Sequence, residues 1–151
     1  MPEVLSSQIH ILVAGTEVQQ SVMADVSEVT VEQHVHLPGM FAIHLYDKDF
    51  AYLDGGLFDL TKGVQIKAEL ESGTQITLID GEVTALEPGL EEGLMTSLVV
   101  RGFDKAHRLY RETKSRAFLN VKDSDLASQL AGGAGLSAQV EATSTVYEHI
   151  F

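Results

Sequence analysis

Three histidines have the residue type and spacing for metal chemistry. His34 and His36 lie two residues apart, so a strand places both imidazoles on one face, and His44 lies where the next strand of a hairpin is expected. Three nitrogen ligands suit a zinc ion. The same alternation places these side chains on a polar face beside Glu32, which favours exposure to solvent. We therefore expect no metal and no cofactor, and a site at these three histidines stays the alternative.

Carboxylates are abundant enough to furnish the pair that glycoside hydrolysis requires. Glu87, Glu91 and Glu92, however, lie in a connection with Pro and Gly, where solvated side chains are expected. The chain has no cysteine, and it has neither a serine nucleophile elbow nor a phosphate loop. Gly132 and Gly133 follow a predicted helix, whereas phosphate-binding glycines precede one. We predict that the chain is not an enzyme.

The strongest charge feature is a basic stretch that follows an apolar, β-branched run. Six of the ten Lys and Arg residues lie within it. They are Arg101, Lys105, Arg108, Arg111, Lys114 and Arg116. Only Asp104 and Glu112 oppose them, so the stretch carries +4, and the rest of the chain, whose total is −12, carries −16.

Two functions fit this basic stretch. Cations interleaved with Phe103 and Tyr110 can neutralise phosphates and stack on bases, as in a small nucleic-acid-binding barrel that uses Arg101, Lys105, Arg108 and Arg111. The acidic remainder would repel a polyanion, however, and it offers a complementary surface on a neighbouring subunit. We therefore predict that the six cations are subunit contacts and expect no nucleic acid as a partner.

Composition places the chain among soluble globular proteins. It has 151 residues, of which 44% are hydrophobic and 7% aromatic, which is enough for a sizeable core. Residues 1–4 contain no basic region before an apolar core, and no apolar run approaches the roughly 20 residues that span a bilayer. We expect no signal peptide, no membrane segment and a cytoplasmic location.

Alternation of apolar and polar residues predicts several strands separated by turns. The predicted strands are 9–13, 29–37, 41–46, 64–70, 76–86 and 95–103. The Asp80-Gly81 pair within the fifth of these fits either a hairpin turn or a bulge in one long bent strand, and we favour the bulge. Aromatic and aliphatic residues between Asp47 and Asp59 are expected to plug one end of the sheet. We predict a mainly β fold, an antiparallel β-barrel.

The last part of the chain has a different character. Asp123 or Ser124 is suited to cap one short helix that ends at Gly132-Gly133, and extended segments follow. We therefore predict two parts, a β-barrel domain over residues 1–116 and a helix-containing α/β extension over residues 117–151. The apolar pair Ile150-Phe151 suggests that the extension is the start of a truncated second domain.

Four segments resemble the phage late control protein D family, which includes the VgrG-type spike proteins of contractile injection systems. The segments are Asp80–Pro88, Val99–Leu109, Phe118–Val121 and Ser124–Ala127. The similarity runs from about Val29 to the last residue, and its most specific part is R-G-F-D-K-A-H-R-L, which begins at Arg101.

This resemblance implies a baseplate hub and a mechanical role. Hub proteins of the family form homotrimers of tandem β-barrel domains, which join the tube to the spike at the centre of the baseplate. The implied partners are two further copies and the tube, spike-tip and baseplate proteins of the same particle. The implied location is the cytoplasm until assembly into a phage-tail-like or secretion particle. Complete family members continue through further domains, so residues 117–151 would begin a second hub domain.

Overall fold

The computed structural model of the chain describes residues 8–90 and 96–151. Segments with alternating apolar and polar residues form strands in it. These residues form two units, one that ends at Lys105 and one that spans Ala106–Phe151. The described part of the first unit contains seven strands and two short α-helices. They are β1 (Gln8–Val13), β2 (Thr16–Glu17), α1 (Gln20–Asp25), β3 (Val26–Glu32), β4 (Met40–Tyr46), α2 (Ala51–Asp54), β5 (Gly63–Glu69), β6 (Gln75–Leu90) and β7 (Thr96–Asp104).

The seven strands form one antiparallel sheet that curls into a half-barrel, in the order β2-β1-β5-β6-β7-β4-β3. Strand β5 shows why these sequences form strands. Val64, Ile66 and Ala68 are buried, whereas Gln65 and Lys67 between them are partly exposed. This period of two faces one side of the sheet to the core. The prediction of a mainly β, antiparallel fold is confirmed.

The core of the first unit fills the concave face of the sheet. Alternate residues of β1, β4, β5 and β7 supply most of it, and Phe41, Ile43 and Val100 have no exposed surface. Phe58 is 1% exposed and belongs to this core, and Tyr52 and Leu57 pack against it. Side chains between Asp47 and Asp59 therefore pack into the core, and their closing of one end of the sheet stays a prediction.

Strand β3 is shorter than predicted. The apolar alternation is interrupted at Gln33 and resumes at Val35 and Leu37, but pairing with β4 ends at Glu32. Val35 is 93% exposed and Leu37 is 58% exposed, so these two residues lie on the β3–β4 loop. The sequence pattern predicted that they would be buried, and this prediction is wrong because the strand ends before it reaches them.

Strand β6 is one long strand, as favoured, but its bulges lie elsewhere. The register against β5 shifts at Leu78, and the register against β7 shifts at Thr84. Gly81 itself pairs regularly with Val64 and Asp104. The strand also continues to Leu90, through the Pro88-Gly89 pair that was predicted to end it. Glu91 and Glu92, which were considered as catalytic acids, lie outside the described residues.

The second unit contains β8 (Phe118–Val121), α3 (Asp123–Gly133) and β9 (Tyr147–Ile150), and β8 pairs with β9. Helix α3 confirms the predicted short helix. Its N-cap is Lys122, without a side-chain cap, instead of Asp123 or Ser124. The left-handed residue that follows the helix is Gly135, at φ +69°, instead of Gly132 or Gly133. The Leu136 amide donates to the Ala131 carbonyl at 2.9 Å, which closes the last turn.

A 3₁₀ helix also spans Lys105–Tyr110, where the first unit gives way to the second. None of the helices formed by residues 8–90 and 96–151 is both long enough and apolar enough to cross a membrane.

Candidate contact surface

Arg101 is the first of the six predicted contact residues, and β7 places it on the outer face of the sheet. It pairs in register with Ala42 of β4 and Ala85 of β6. Its Nε donates to Oε1 of Glu87 at 2.9 Å, and its side chain is still 40% exposed. An ion pair this exposed contributes about 0.2–1 kcal/mol, so it leaves Arg101 able to exchange partners.

Lys105 follows the end of β7 and also faces an acid of β6. Its Nζ lies 3.5 Å from Oδ1 of Asp80, and 45% of its side chain is exposed. The same carboxylate accepts a hydrogen bond from Nε2 of Gln65 at 3.1 Å. Both predicted contact residues of the first unit are therefore exposed and paired with carboxylates of their own chain.

The other four cations belong to the second unit. Nη1 of Arg108 donates to the Ala134 carbonyl, at the end of α3, at 3.4 Å. Nη2 of Arg111 lies 3.0 Å from Nε2 of His107, which accepts because a guanidinium only donates. Lys114 pairs with Glu112, and Arg116 is exposed. A role in subunit contact stays a prediction for all six residues.

The three histidines considered for metal binding lie on two different elements. His44 is on β4, opposite Val99 and Glu28, whereas His34 and His36 are on the β3–β4 loop. Nε2 of His34 lies 3.7 Å from Oε2 of Glu32. Within the ranges that the structure describes, no group of three or more His, Asp and Glu side chains is arranged to hold a metal ion. The geometry therefore gives no support to the metal alternative.

A cavity of about 320 Å³ lies between the β3–β4 loop and β6. His34, Asp80 and Asp104 are the titratable side chains that line it. Oδ2 of Asp104 accepts the backbone N–H of Gly39 at 2.7 Å, and Asp80 faces Lys105. Both carboxylates therefore hold neighbouring elements of the fold together.

Two clusters of polar side chains were not predicted from the sequence. In the first, Asp47 is 1% exposed and accepts the backbone N–H groups of Tyr52 at 2.7 Å and Leu53 at 2.9 Å, which fixes α2. The Tyr52 hydroxyl donates to Oδ2 of Asp25 at 2.5 Å. This hydrogen bond, with partial burial, raises the pKa of Tyr52 to about 12.

The second cluster joins three strands around His10. Its two ring nitrogens face Glu17 at 2.6 Å and Glu69 at 3.1 Å, and these carboxylates raise the pKa of His10 above its ordinary value. Alternation in β1 placed His10 on the polar face of the sheet. It could not identify Glu69, which is 59 residues away and is brought near by the β1–β5 pairing.

Comparison with known proteins gives one family and a fold. The sequence profile of the Alg8 N-terminal domain family matches residues 3–151. The 43 kDa tail protein of prophage MuSo2 from Shewanella oneidensis has a similar structure, with a TM-score of 0.66 and 16% identity over 96% of this chain. A tail protein from Neisseria meningitidis MC58 matches with a TM-score of 0.55 and 14% identity over 85% of this chain. No curated protein matches.

These solved structures establish a fold. The chain spans 43% of the Shewanella protein and 34% of the Neisseria protein. At such low identity the similarity carries architecture and no residue-level role. The expected likeness to phage tail proteins is therefore confirmed at the level of the fold.

Proposed function

This chain belongs to the Alg8 N-terminal domain family, and we propose that it is a structural component of a contractile, phage-tail-like particle. Within that particle it forms part of the hub that joins the tube to the spike. The observation that carries the proposal is the fold shared with the Shewanella tail protein over 96% of this chain. The resemblance of Arg101–Leu109 to VgrG-type spike proteins supports the finer assignment to a hub.

The proposed role depends on shape and contact, without a chemical reaction. In the cavity beside β6, Asp80 and Asp104 are engaged by Lys105 and by the Gly39 amide. A pair of carboxylates for acid–base catalysis needs one group with a raised pKa and room for a substrate between them. Engagement of both carboxylates by their own neighbours favours a structural role for this cavity.

The proposed partners are other copies of the chain and the tube, spike-tip and baseplate proteins of the particle. The six cations are the proposed contact residues, because the basic stretch carries +4 against −16 elsewhere. Arg101 and Lys105 keep 40% and 45% of their side chains exposed, so a second carboxylate from a neighbour can reach them. Such complementary charges fix the orientation of subunits and add an attraction that salt screens.

Residues 117–151 are proposed to begin a second hub domain after a first domain of residues 1–116. Val121 is the one buried residue among positions 106–151, all of which the structure describes. Leu119, Val146 and Phe151 are 68%, 53% and 92% exposed. Apolar exposure on this scale favours burial of these side chains by further protein.

Before assembly we place the protein in the cytoplasm.

The proposal is tested by the mass of the protein in solution, measured by light scattering over a range of concentration at low and moderate salt. We expect a trimer that dissociates as salt rises, because exposed charge pairs are screened. The variant Arg111→Gln with Arg116→Gln is expected to weaken the trimer. The control Lys48→Gln with Lys122→Gln removes the same charge outside the basic stretch and should not.

Two results would contradict parts of this proposal. A trimer with the same mass at every salt concentration and in both variants would show that the cations do not hold the subunits together. A monomer at every concentration would overturn self-association by this chain.

The nucleic-acid alternative is tested on the same protein with a labelled single-stranded oligonucleotide. The rest of the chain carries −16, and this charge repels a polyanion. We expect no binding at low salt. Affinity that falls linearly with the logarithm of salt concentration, and that is lost when Arg101, Lys105, Arg108 and Arg111 are neutralised, would favour the alternative.

A further inference from the structure

His10 lies between two carboxylates on the outer face of the sheet. Its Nδ1 is 2.6 Å from Oε1 of Glu17 on β2, and its Nε2 is 3.1 Å from Oε2 of Glu69 on β5. The imidazole is only 14% exposed, whereas the carboxylates of Glu17 and Glu69 are 58% and 33% exposed. One side chain of β1 therefore ties together three neighbouring strands at one edge of the sheet.

The two contacts can be made together in only one protonation state. A carboxylate accepts hydrogen bonds, and a neutral imidazole has one N–H donor. Both ring nitrogens of His10 are donors only when the ring is an imidazolium. If the ring loses its proton, one nitrogen lone pair faces a carboxylate oxygen, and that contact becomes repulsive.

We propose that His10, Glu17 and Glu69 form a proton-controlled clasp that holds the β1–β2 edge of the sheet closed while His10 is charged and loosens it when His10 loses its proton. The clasp sits at a weak point, because only Leu12 and Val13 of β1 pair with β2. Beyond those pairs, the Val18 amide donates to the Ile11 carbonyl at 2.9 Å.

The charged groups that face His10 from the neighbouring strands favour its charged form on balance. Glu17 comes from β2 and Glu69 from β5, and Lys67 of β5 lies directly opposite His10 in the register. The ammonium of Lys67 disfavours the imidazolium. Two carboxylates in hydrogen-bonding contact with the ring stabilise its charge more strongly than this one ammonium destabilises it. On β6, the residues opposite Lys67 and Glu69 are Thr77 and Gln75, which carry no charge.

The direction of the pH dependence follows from the raised pKa of His10, whose ordinary value is 6.5. When the pKa of a group is higher in the folded state than in the unfolded state, the group stabilises the fold. This stabilisation is complete at pH values below the unfolded-state pKa. That stabilisation is lost as pH rises through the folded-state value. The clasp is therefore closed in mildly acidic solution and loosens as pH rises through the raised pKa of His10.

The first measurement is an NMR titration of the His10 ring nitrogens in the intact chain. We expect both nitrogens to carry protons at pH 6 and the midpoint to lie above 6.5. Glu17→Gln and Glu69→Gln should each lower that midpoint, because each removes one facing charge. Glu87→Gln, which removes the partner of Arg101 elsewhere on the sheet, is the matched control and should leave it unchanged.

The second measurement is hydrogen exchange, with protection factors used to remove the intrinsic pH dependence of exchange. Protection of the Val18 amide should fall severalfold as pH rises through the His10 midpoint. Protection of the Thr61 amide, which donates to the Val83 carbonyl at 2.8 Å away from the clasp, should stay constant.

The variant His10→Gln separates the clasp from a general effect of pH. Glutamine cannot change charge, so Val18 protection should no longer depend on pH. Retention of that pH dependence in the variant would overturn the proposal. A His10 midpoint at or below 6.5, or one that neither Glu→Gln change lowers, would overturn it as well.

Discussion

Gly102 lies where β7 passes between two close neighbours. It pairs with Phe41 of β4 on one side and with Val83 of β6 on the other. A Cβ atom at this position would lie closer than 3.0 Å to the Phe41 ring and to the Glu82 carbonyl oxygen. Phe41 has no exposed surface, so its ring cannot move without displacing other core side chains or opening to solvent. The absence of a side chain at residue 102 is what allows this ring to fill the core.

We predict that Gly102→Ala destabilises the first unit by about 1–3 kcal/mol, because a well-packed core resists one extra methyl group. Gly63→Ala is the control, since it also lies in a strand of this unit and its Cβ would meet nothing closer than the Gly81 oxygen at 3.9 Å. Urea unfolding followed by circular dichroism measures both. Equal midpoints for the two variants would contradict this account of Gly102.

Strand β3 shows what limits a strand whose apolar alternation resumes after an interruption at Gln33. Apolar residues recur at every second position from Val29 to Val31 and again from Val35 to Leu37. The partner strand β4 begins only at Met40, which pairs with Glu32. Residues 33–39 therefore form the turn, and the alternation beyond Glu32 has no strand to pair with.

We predict that Val35→Ala changes the free energy of unfolding by less than about 0.5 kcal/mol, because Val35 is 93% exposed. Val100→Ala removes the same two methyl groups from a side chain with no exposed surface in β7. It should cost roughly 1.5–3 kcal/mol. Denaturant midpoints give both values. A loss at Val35 as large as that at Val100 would mean that the loop is buried in solution, for example by self-association.

Strands and helices were predicted correctly where their own residues determine them, and they were missed or misplaced where pairing with another part of the chain does. Strand β5 was predicted from the alternation of Val64, Ile66, Ala68 and Leu70 with polar residues, because period-two burial is a property of the strand itself. Helix α1 was missed, since it has six residues, no side-chain cap and one buried residue, Val22. The bulges at Leu78 and Thr84 were misplaced because the register is set by two strands together.

The same limit applied to the candidate sites. The six cations were visible as a run in the sequence, but Glu87 and Asp80, which pair with Arg101 and Lys105, come from strand β6. The Asp25–Tyr52 bond and the His10 clasp also join residues that are distant in the chain. Composition shows which groups are present, and pairing between strands decides which of them meet.

At the scale of the whole chain, the two units differ in how much core they possess. The first unit buries side chains from β1, β4, β5, β6 and β7 in one cluster. The second unit spans 46 residues from Ala106 to Phe151 and buries only Val121, at 5% exposure. Domains of this size without disulfides or metals are marginal by themselves. The chain has no cysteine with which to form a disulfide.

We therefore predict that the second unit opens at lower free energy than the first. Native-state hydrogen exchange should give lower protection for the Leu126 amide, which donates to Lys122 in α3, than for the Val83 amide, which donates to Lys62. Val121→Ala should lower protection within residues 106–151 and leave the Val83 amide unchanged. Val100→Ala, the matched valine change in the first unit, should lower protection at Val83.

Equal protection at Leu126 and Val83, with both falling together in either variant, would contradict separate opening of the two units. Low protection at Leu126 that rises when the chain is assembled with further protein would instead show that assembly stabilises the second unit. A unit with one buried valine would then gain its stability from burial of Leu119, Val146 and Phe151 by a neighbour.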